Sequence, residues 1–235
     1  SEDEELEDLK RKLRRALERY EDRLREIKRR LDEKLKEIKR DYDRLKKELD
    51  DLLREIERRG VKDELLERAL ELIKRLLDKS LRLIEEVLRE LKRLLDTDLD
   101  ILRRILEEVA RLIDEVRSGS RPGEELVREI KKVLDKVKED SERNVREIER
   151  VLEEVEKRSR EIVREAEEVL KEVEDRIGRD EVVKELLDLV REIIKRLKEI
   201  HEEILRLIET VLEDLERANR RLLDLARKIL EDARK

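Results

Sequence analysis

Apolar residues recur along this chain at helical spacing, and the pattern repeats every 18 residues, three times in each of four consecutive segments. The last segment shows the repeat most plainly, in the blocks EVVKELLDLVREIIKRLK (181–198), EIHEEILRLIETVLEDLE (199–216) and RANRRLLDLARKILEDAR (217–234). Because an α-helix has about 3.6 residues per turn, such a block fills a whole number of turns. A stripe with this period runs straight along the helix, whereas a heptad repeat imposes a left-handed supercoil. The pattern therefore predicts long, nearly straight (untwisted) helices.

Three short breaks divide the pattern into four helices. Gly60 and Gly178 follow the first and third helices, where a glycine in the left-handed conformation closes a helix. Asp63 and Asp180, which come shortly afterwards, are suited to cap the next helix. The segment SGSRPG (118–123) holds the only proline and two of the four glycines, which predicts the longest connection. The predicted helices span about 4–59, 63–117, 124–177 and 180–233.

Short connections place consecutive helices antiparallel. Each helix carries an apolar stripe that it cannot bury alone, so the four helices must pack together. The sequence therefore predicts an all-α fold, an antiparallel up-down-up-down four-helix bundle that forms a single domain over residues 1–235.

The apolar stripes differ in width. The second and fourth helices carry 26 and 25 apolar residues in 54, against 17 and 18 in the first and third. Their apolar arcs cover roughly 160° of the helix circumference, which is more than a square bundle needs. Either the cross-section is rhombic, with helices 2 and 4 in contact across the short diagonal, or a second chain docks on these faces and forms a homo-oligomer.

A few polar residues interrupt the apolar arcs, and folding the chain at its three turns brings them to two common heights. The first group contains Tyr42, Ser80, Ser159 and His201, and the second contains Tyr20, Asp98, Ser141, Asn219 and, one turn away, Asn144. A buried polar group costs several kcal/mol, about 1–3 in mutational data, unless it is hydrogen-bonded. We therefore expect two structural hydrogen-bonded layers that disfavour any shifted register.

Three members of these groups need separate comment. His201 should be buried and neutral, with a pKa below its ordinary value near 6.5. Asp98 and Asn144 are unusual residues at arc-facing positions, and their partners are not all evident from the sequence. If Asp98 lacks partners, we expect it to be partly protonated or turned toward solvent.

The same residues do not predict an enzyme. Serine, tyrosine and histidine can form a nucleophile–base pair, but hydrolysis also needs an orienting acid, an oxyanion hole and an open pocket. No Gly-rich strand–turn–helix is available to build them. A di-metal site needs Glu-x-x-His on two helices, whereas Lys198 precedes the single histidine by three residues. Phosphate-binding glycine motifs are also missing. We therefore predict no catalytic, cofactor-binding or metal-binding residues and no cofactor.

Composition narrows the function classes further. Charged residues make up 56 % of the chain, and 69 acidic against 63 basic residues give a net charge of −6. Both signs are interspersed, which argues against nucleic acid, because binding it requires a basic face. The absence of cysteine excludes disulfides and zinc ribbons, and frequent charges exclude a membrane span. No basic segment followed by an apolar one opens the chain, so no signal peptide is expected.

The chain also lacks Trp, Phe and Met, and its arcs contain almost only Leu, Ile, Val and Ala. Together with the turns GVKD and IGRD and surfaces filled with Glu, Lys and Arg, this resembles computationally designed, parametric helical bundles with buried hydrogen-bond layers. The resemblance covers the full length. It implies exceptional thermal stability, no natural substrate and use as a scaffold or assembly component, produced as a soluble cytoplasmic protein on recombinant expression.

Three functions of different classes follow from this sequence. The first is a self-contained structural scaffold without a ligand or required partner. The second is an interaction module that binds another copy, or an added helix, through the broad apolar faces of helices 2 and 4. The third is a natural coiled-coil spacer of spectrin type, although such spacers usually carry Trp, Phe and irregular repeats, which this chain lacks.

Overall fold

The computed structural model describes residues 2–234, with side chains as far as Glu231. Four unbroken helices account for nearly all of them, α1 (Glu2–Arg58), α2 (Glu64–Arg117), α3 (Gly123–Ile177) and α4 (Glu181–Arg234). No strand occurs in this described part of the chain. The fold is an all-α four-helix bundle, which confirms the predicted fold class.

Contacts between the helices group into two compact units, and each unit contains a segment of all four helices. Unit 1 consists of residues 1–30, 90–150 and 210–235, and unit 2 of residues 31–89 and 151–209. Each unit has its own apolar core, as the periodicity requires. In unit 1, Leu24, Leu95, Ile130 and Leu215 are 0 % exposed, and in unit 2 the same holds for Leu31, Leu77, Ala166 and Ile204.

Ion pairs show that α1 and α2 run antiparallel in each unit. In unit 1, Lys10 pairs with Asp114 at 3.4 Å, and Lys28 pairs with Asp96. In unit 2, Lys46 pairs with Asp78, and Lys74 pairs with Asp50 at 3.0 Å. As the residue number rises along α1, the number of its partner on α2 falls, which is the relation that antiparallel packing requires.

The turns use the predicted caps, with one correction. Gly60 has a φ of 71°, and the Leu66 N–H donates to Asp63 Oδ1 at 3.0 Å. Asp180 Oδ1 accepts from the Val182 N–H at 2.9 Å, so it caps α4. Gly178, however, does not adopt the left-handed conformation expected for it. Glycine is needed there because a Cβ would lie 2.3 Å from the Glu174 carbonyl oxygen.

The broad arcs of α2 and α4 are largely covered by the chain itself. Among the described side chains, Leu189 is the one large hydrophobic residue that is exposed, at 52 %. In unit 2, α2 and α4 touch directly, since Ser80 Oγ lies 2.5 Å from His201 Nε2. This contact supports the first of the two explanations for the wide arcs in unit 2. Homo-oligomerisation through these faces stays a prediction.

Candidate functional site: two buried polar layers

The polar layer of unit 2 consists of Tyr42, Ser80 and His201, which lie on α1, α2 and α4. The Tyr42 hydroxyl is hydrogen-bonded to Ser80 Oγ, which is hydrogen-bonded in turn to His201 Nε2. Tyr42 and Ser80 are 0 % exposed, and His201 is 6 % exposed. The structure therefore brings three of the four predicted residues of this group together in the core of unit 2.

Ser159, the fourth predicted member, does not join them. It is buried on α3, at 3 % exposure, but its hydroxyl donates to the Glu156 carbonyl oxygen of its own helix at 3.1 Å. Serine side chains are short enough to bond the preceding turn of a helix, and such a local bond competes with a partner on another helix. The unit 2 layer consequently links three helices rather than four.

The imidazole of His201 is neutral in this setting. Burial lowers its pKa from 6.5 to about 4, the direction expected from the sequence. Both hydroxyl protons are used only if Tyr42 donates to Ser80 and Ser80 donates to Nε2. The ring proton then lies on Nδ1, which is buried and has no hydrogen-bond partner. Such an unpaired group costs about 1–3 kcal/mol.

The polar layer of unit 1 is centred on Asp98, which is 1 % exposed on α2. Asn144 on α3 donates through Nδ2 to Asp98 Oδ1 and to the Leu94 carbonyl oxygen, the latter at 3.3 Å. From α1, the Tyr20 hydroxyl lies 3.2 Å from Asp98 Oδ2, and it also contacts Asn219 Oδ1 on α4. This layer therefore joins all four helices of the unit.

The contacts of Tyr20 raise a question of proton count. Its hydroxyl has one proton but faces two acceptor oxygens, one on Asp98 and one on Asn219. Two arrangements resolve this: either Asp98 is protonated and donates to Tyr20, or the Asn219 amide turns its NH₂ group toward the phenol oxygen. Burial raises the pKa of Asp98 from 3.8 to about 6, against the opposing effect of the bonds from Asn144 and Tyr20. The first arrangement thus becomes accessible in mild acid.

Ser141, which the sequence places in the same group, is buried at 5 % exposure but is not hydrogen-bonded to Asp98 or Asn144. It lies one turn before Asn144 on α3. Together with Asn219 it lines a groove of about 470 Å³ between α3 and α4 of unit 1. Ser141 thus shares the height of the layer but is not bonded to its central residues.

The Ser80–His201 contact of unit 2 differs from an active nucleophile–base pair. The Ser80 hydroxyl and the His201 imidazole are in contact, as in a nucleophile–base pair, but Ser80 is 0 % exposed and a substrate cannot reach it in this structure. No carboxylate orients the imidazole, because His201 Nδ1 has no partner. The orienting group that makes such a pair productive is therefore missing.

A group that sequence reasoning missed lies on α1 and α4 of unit 2. Ligand atoms of Glu37, Asp41 and Glu203 all lie within 4.8 Å of one another, and Asp41 is only 8 % exposed. Arg196 pairs with Asp41 at 2.9 Å and with Glu203 at 3.3 Å, and Lys34 pairs with Glu203 at 3.3 Å. Lys34 also pairs with Glu37 at 3.5 Å, and Arg44 pairs with Asp41 at 3.9 Å. Three basic side chains therefore face the three carboxylates, which makes this an ion-pair cluster of the protein itself.

Comparisons of this chain with protein-family models, with curated proteins and with solved structures each found no match. Among the described residues, no helix combines the length and the apolar character that crossing a membrane would require.

Proposed function

We propose that this chain is a computationally designed structural scaffold, in which the two polar layers set the register and the pairing of the helices. One observation carries the proposal: the layers have different chemistry and different connectivity. The unit 2 layer is a Tyr–Ser–His chain on three helices, whereas the unit 1 layer is centred on a carboxylate and joins four. Each layer is satisfied only by its own set of partners.

The 18-residue repeat makes such a device necessary. Sliding one helix past another by one repeat preserves most apolar contacts, because apolar positions coincide. The same slide of α2 would bring Asp98 to the height of Ser80, and a carboxylate would then face His201 and Tyr42. Each buried polar group left without its partner costs about 1–3 kcal/mol. The apolar core therefore supplies stability, and the polar layers select one register.

Two kinds of measurement test the scaffold proposal. Light scattering coupled to size-exclusion chromatography should give 28.6 kDa, the mass of one chain, if the scaffold is self-contained. A multiple of that mass would favour the interaction module instead. Replacement of the unit 2 group with apolar residues should keep or raise the melting temperature but broaden the register. The substitutions are Tyr42→Phe, Ser80→Ala, Ser159→Ala and His201→Leu.

Register can be read directly, because the chain has no cysteine of its own. Spin labels on cysteines introduced at the exposed positions Lys47 and Lys79 report the distance between α1 and α2 in unit 2. The parent should give one narrow distance distribution and the fourfold variant a broad or multiple one. Ser159→Ala alone is the matched control, since Ser159 makes no bond across helices. A large loss of stability with an unchanged distance distribution would refute the proposal.

A further inference from the structure

We propose that the groove between α1 and α4 of unit 1 is a binding site for a medium-chain alkyl carboxylate. Three arginines line this groove, Arg19 and Arg23 on α1 and Arg221 on α4, and all three are exposed. No carboxylate residue belongs to its lining. Among the described side chains, no carboxylate oxygen lies within 4.0 Å of any of the three guanidinium groups, so none of the three arginines forms an ion pair.

The space beneath the arginines is apolar. Ala16 and Ala218 are 5 % and 7 % exposed, and with Leu222 they form the floor of a groove of about 300 Å³. The residue spacing on each helix explains why a groove forms here. On each helix an alanine precedes an arginine by three residues, so a small side chain and a long cationic one share one face.

The internal repeat provides a comparison for this charge pattern. Moving each arginine by 18 residues gives the acidic cluster of unit 2: Arg19 corresponds to Glu37, Arg23 to Asp41, and Arg221 to Glu203. In unit 2, Lys34 and Arg196 pair with carboxylates of this cluster. The repeat position of Lys34 in unit 1 is Ala16, which carries no charge. The repeat position of Arg196 is Asp214, but its carboxylate pairs with Arg30 at 2.6 Å and with Arg217 at 3.8 Å, and not with the three arginines of the groove. The unpaired arginines are therefore available to an external anion.

A small cavity shares lining residues with the apolar floor. It measures about 40 Å³, is lined by apolar residues of all four helices of unit 1, and shares Ala16 and Leu222 with the groove. Water in it would find almost no hydrogen-bond partners, which disfavours a stably bound molecule. The end of an alkyl chain would meet only apolar side chains there.

These features identify the ligand by its chemistry. Guanidinium groups bind carboxylates through paired N–H donors, and they do so more effectively over a surface that excludes water. At roughly 30 Å³ per water-sized group, the groove accommodates about ten non-hydrogen atoms. A saturated carboxylate of eight carbons, octanoate, has that size. An inorganic anion would leave the apolar floor uncovered, and a neutral alcohol would leave the arginines unpaired.

The test is a titration of the ¹⁵N-labelled full chain with octanoate, followed by two-dimensional NMR. We expect one saturable site with a dissociation constant on the order of 0.1–1 mM, as for a partly solvated ligand of about ten atoms. The largest shifts should fall in residues 16–23 and 218–225. Acetate, which has the head alone, and octanol, which has the chain alone, should each bind at least about tenfold more weakly.

Charge variants separate this site from general attraction to a basic surface. Loss of the three guanidinium groups should weaken octanoate binding by about tenfold or more, because charge-assisted hydrogen bonds are lost. The test variant is Arg19→Gln, Arg23→Gln and Arg221→Gln. The matched control removes three exposed arginines outside this groove, Arg11→Gln, Arg14→Gln and Arg227→Gln, and should bind within about twofold of the parent because screened surface charges contribute little.

A second variant, Ala218→Leu, keeps every charge and fills the floor, so it should also abolish saturable binding. Circular dichroism establishes that each variant is folded before its titration. Equal binding by the two triple variants, binding of acetate as tight as that of octanoate, or shifts that map elsewhere would each overturn the proposal. None of these outcomes bears on the register role of the polar layers, which the spin-label distances test separately.

Discussion

Acid should act in opposite directions on the two polar layers. The unit 2 layer holds a buried imidazole, His201, whose pKa is about 4 when folded and near 6.5 when the chain is unfolded. The difference is about 2.5 pKa units, and each unit corresponds to about 1.36 kcal/mol. As the pH falls below 6.5 the unfolded chain takes up the proton first. His201 therefore removes roughly 3 kcal/mol of stability between pH 6.5 and pH 4.

The buried carboxyl of Asp98 gives the opposite contribution. Its pKa is about 6 when folded and 3.8 when exposed. As the pH falls through 6 the folded chain takes up the proton first, so stability increases until the pH reaches 3.8. The gain is again roughly 3 kcal/mol for about 2.2 pKa units. Over pH 4–6 the two contributions nearly cancel in the parent protein. A single substitution that removes one titrating group therefore makes the contribution of the other measurable.

The assay is guanidinium unfolding monitored by helical circular dichroism between pH 4 and pH 7.5. For His201→Leu, the free energy of unfolding should rise between pH 7 and pH 4 by roughly 3 kcal/mol more than it does in the parent, because only the Asp98 contribution remains. For Asp98→Asn, the free energy of unfolding should fall between pH 7 and pH 4 by a similar amount relative to the parent. Subtracting the parent profile removes the contribution of the surface carboxylates to the pH dependence, because all three proteins share them. If the layers unfold separately, the two transitions should shift in opposite directions.

Two results would refute this reasoning. One is a pH profile of His201→Leu that runs parallel to the parent profile across the whole range. The other is an NMR titration that gives the His201 imidazole a normal or raised pKa, since the stability change depends on a lowered one.

The remaining predictions concern single side chains. Ser80→Ala should lower stability by about 1–3 kcal/mol, because it leaves Tyr42 and His201 Nε2 without partners. Ser159→Ala should lower it by less than about 1 kcal/mol, since the Ser159 bond is local. Chemical denaturation compares the two variants, and equal losses would contradict the assigned contacts. Gly60→Ala should lower stability by about 1 kcal/mol, because alanine is strained at a φ of 71°. Gly123→Ala is the control, as its added Cβ would lie 3.6 Å from Val116, and calorimetry should show it near neutral.

The helices and the heights of the polar residues could be predicted because both follow from periodicity. The repeat fixes which face of each helix is apolar, and the turn residues fix which residues lie level with each other. Asp63 and Asp180 therefore could be recognised as caps, and Tyr42, Ser80 and His201 could be grouped, without any structural information. In a chain of regular helices, the height of a residue along the bundle follows directly from its position in the sequence.

The direction of a side chain does not follow from its position in the sequence in the same way. Ser159 has the height of its layer, but its hydroxyl bonds the preceding turn, and Ser141 lines a groove without bonding Asp98. These choices depend on rotamers that differ by small free energies, which position alone does not fix. Analogy with Gly60 predicts a left-handed Gly178, yet glycine is required there because the residue approaches the Glu174 carbonyl closely. The arginine groove could have been found only by comparing charges one repeat apart.

Asp98 shows why a costly group can belong in a scaffold. At pH 7 it is largely ionised, because its pKa is about 6, although it is only 1 % exposed. That charge lowers stability, but it also makes a shifted register far less favourable, since an ionised carboxylate away from Tyr20 and Asn144 would meet an apolar core. Once protonated, the same group can both donate and accept, and it tolerates more partners. The register should therefore be held most strictly where the protein is less stable, above pH 6, and relax as acid stabilises the unit 1 layer.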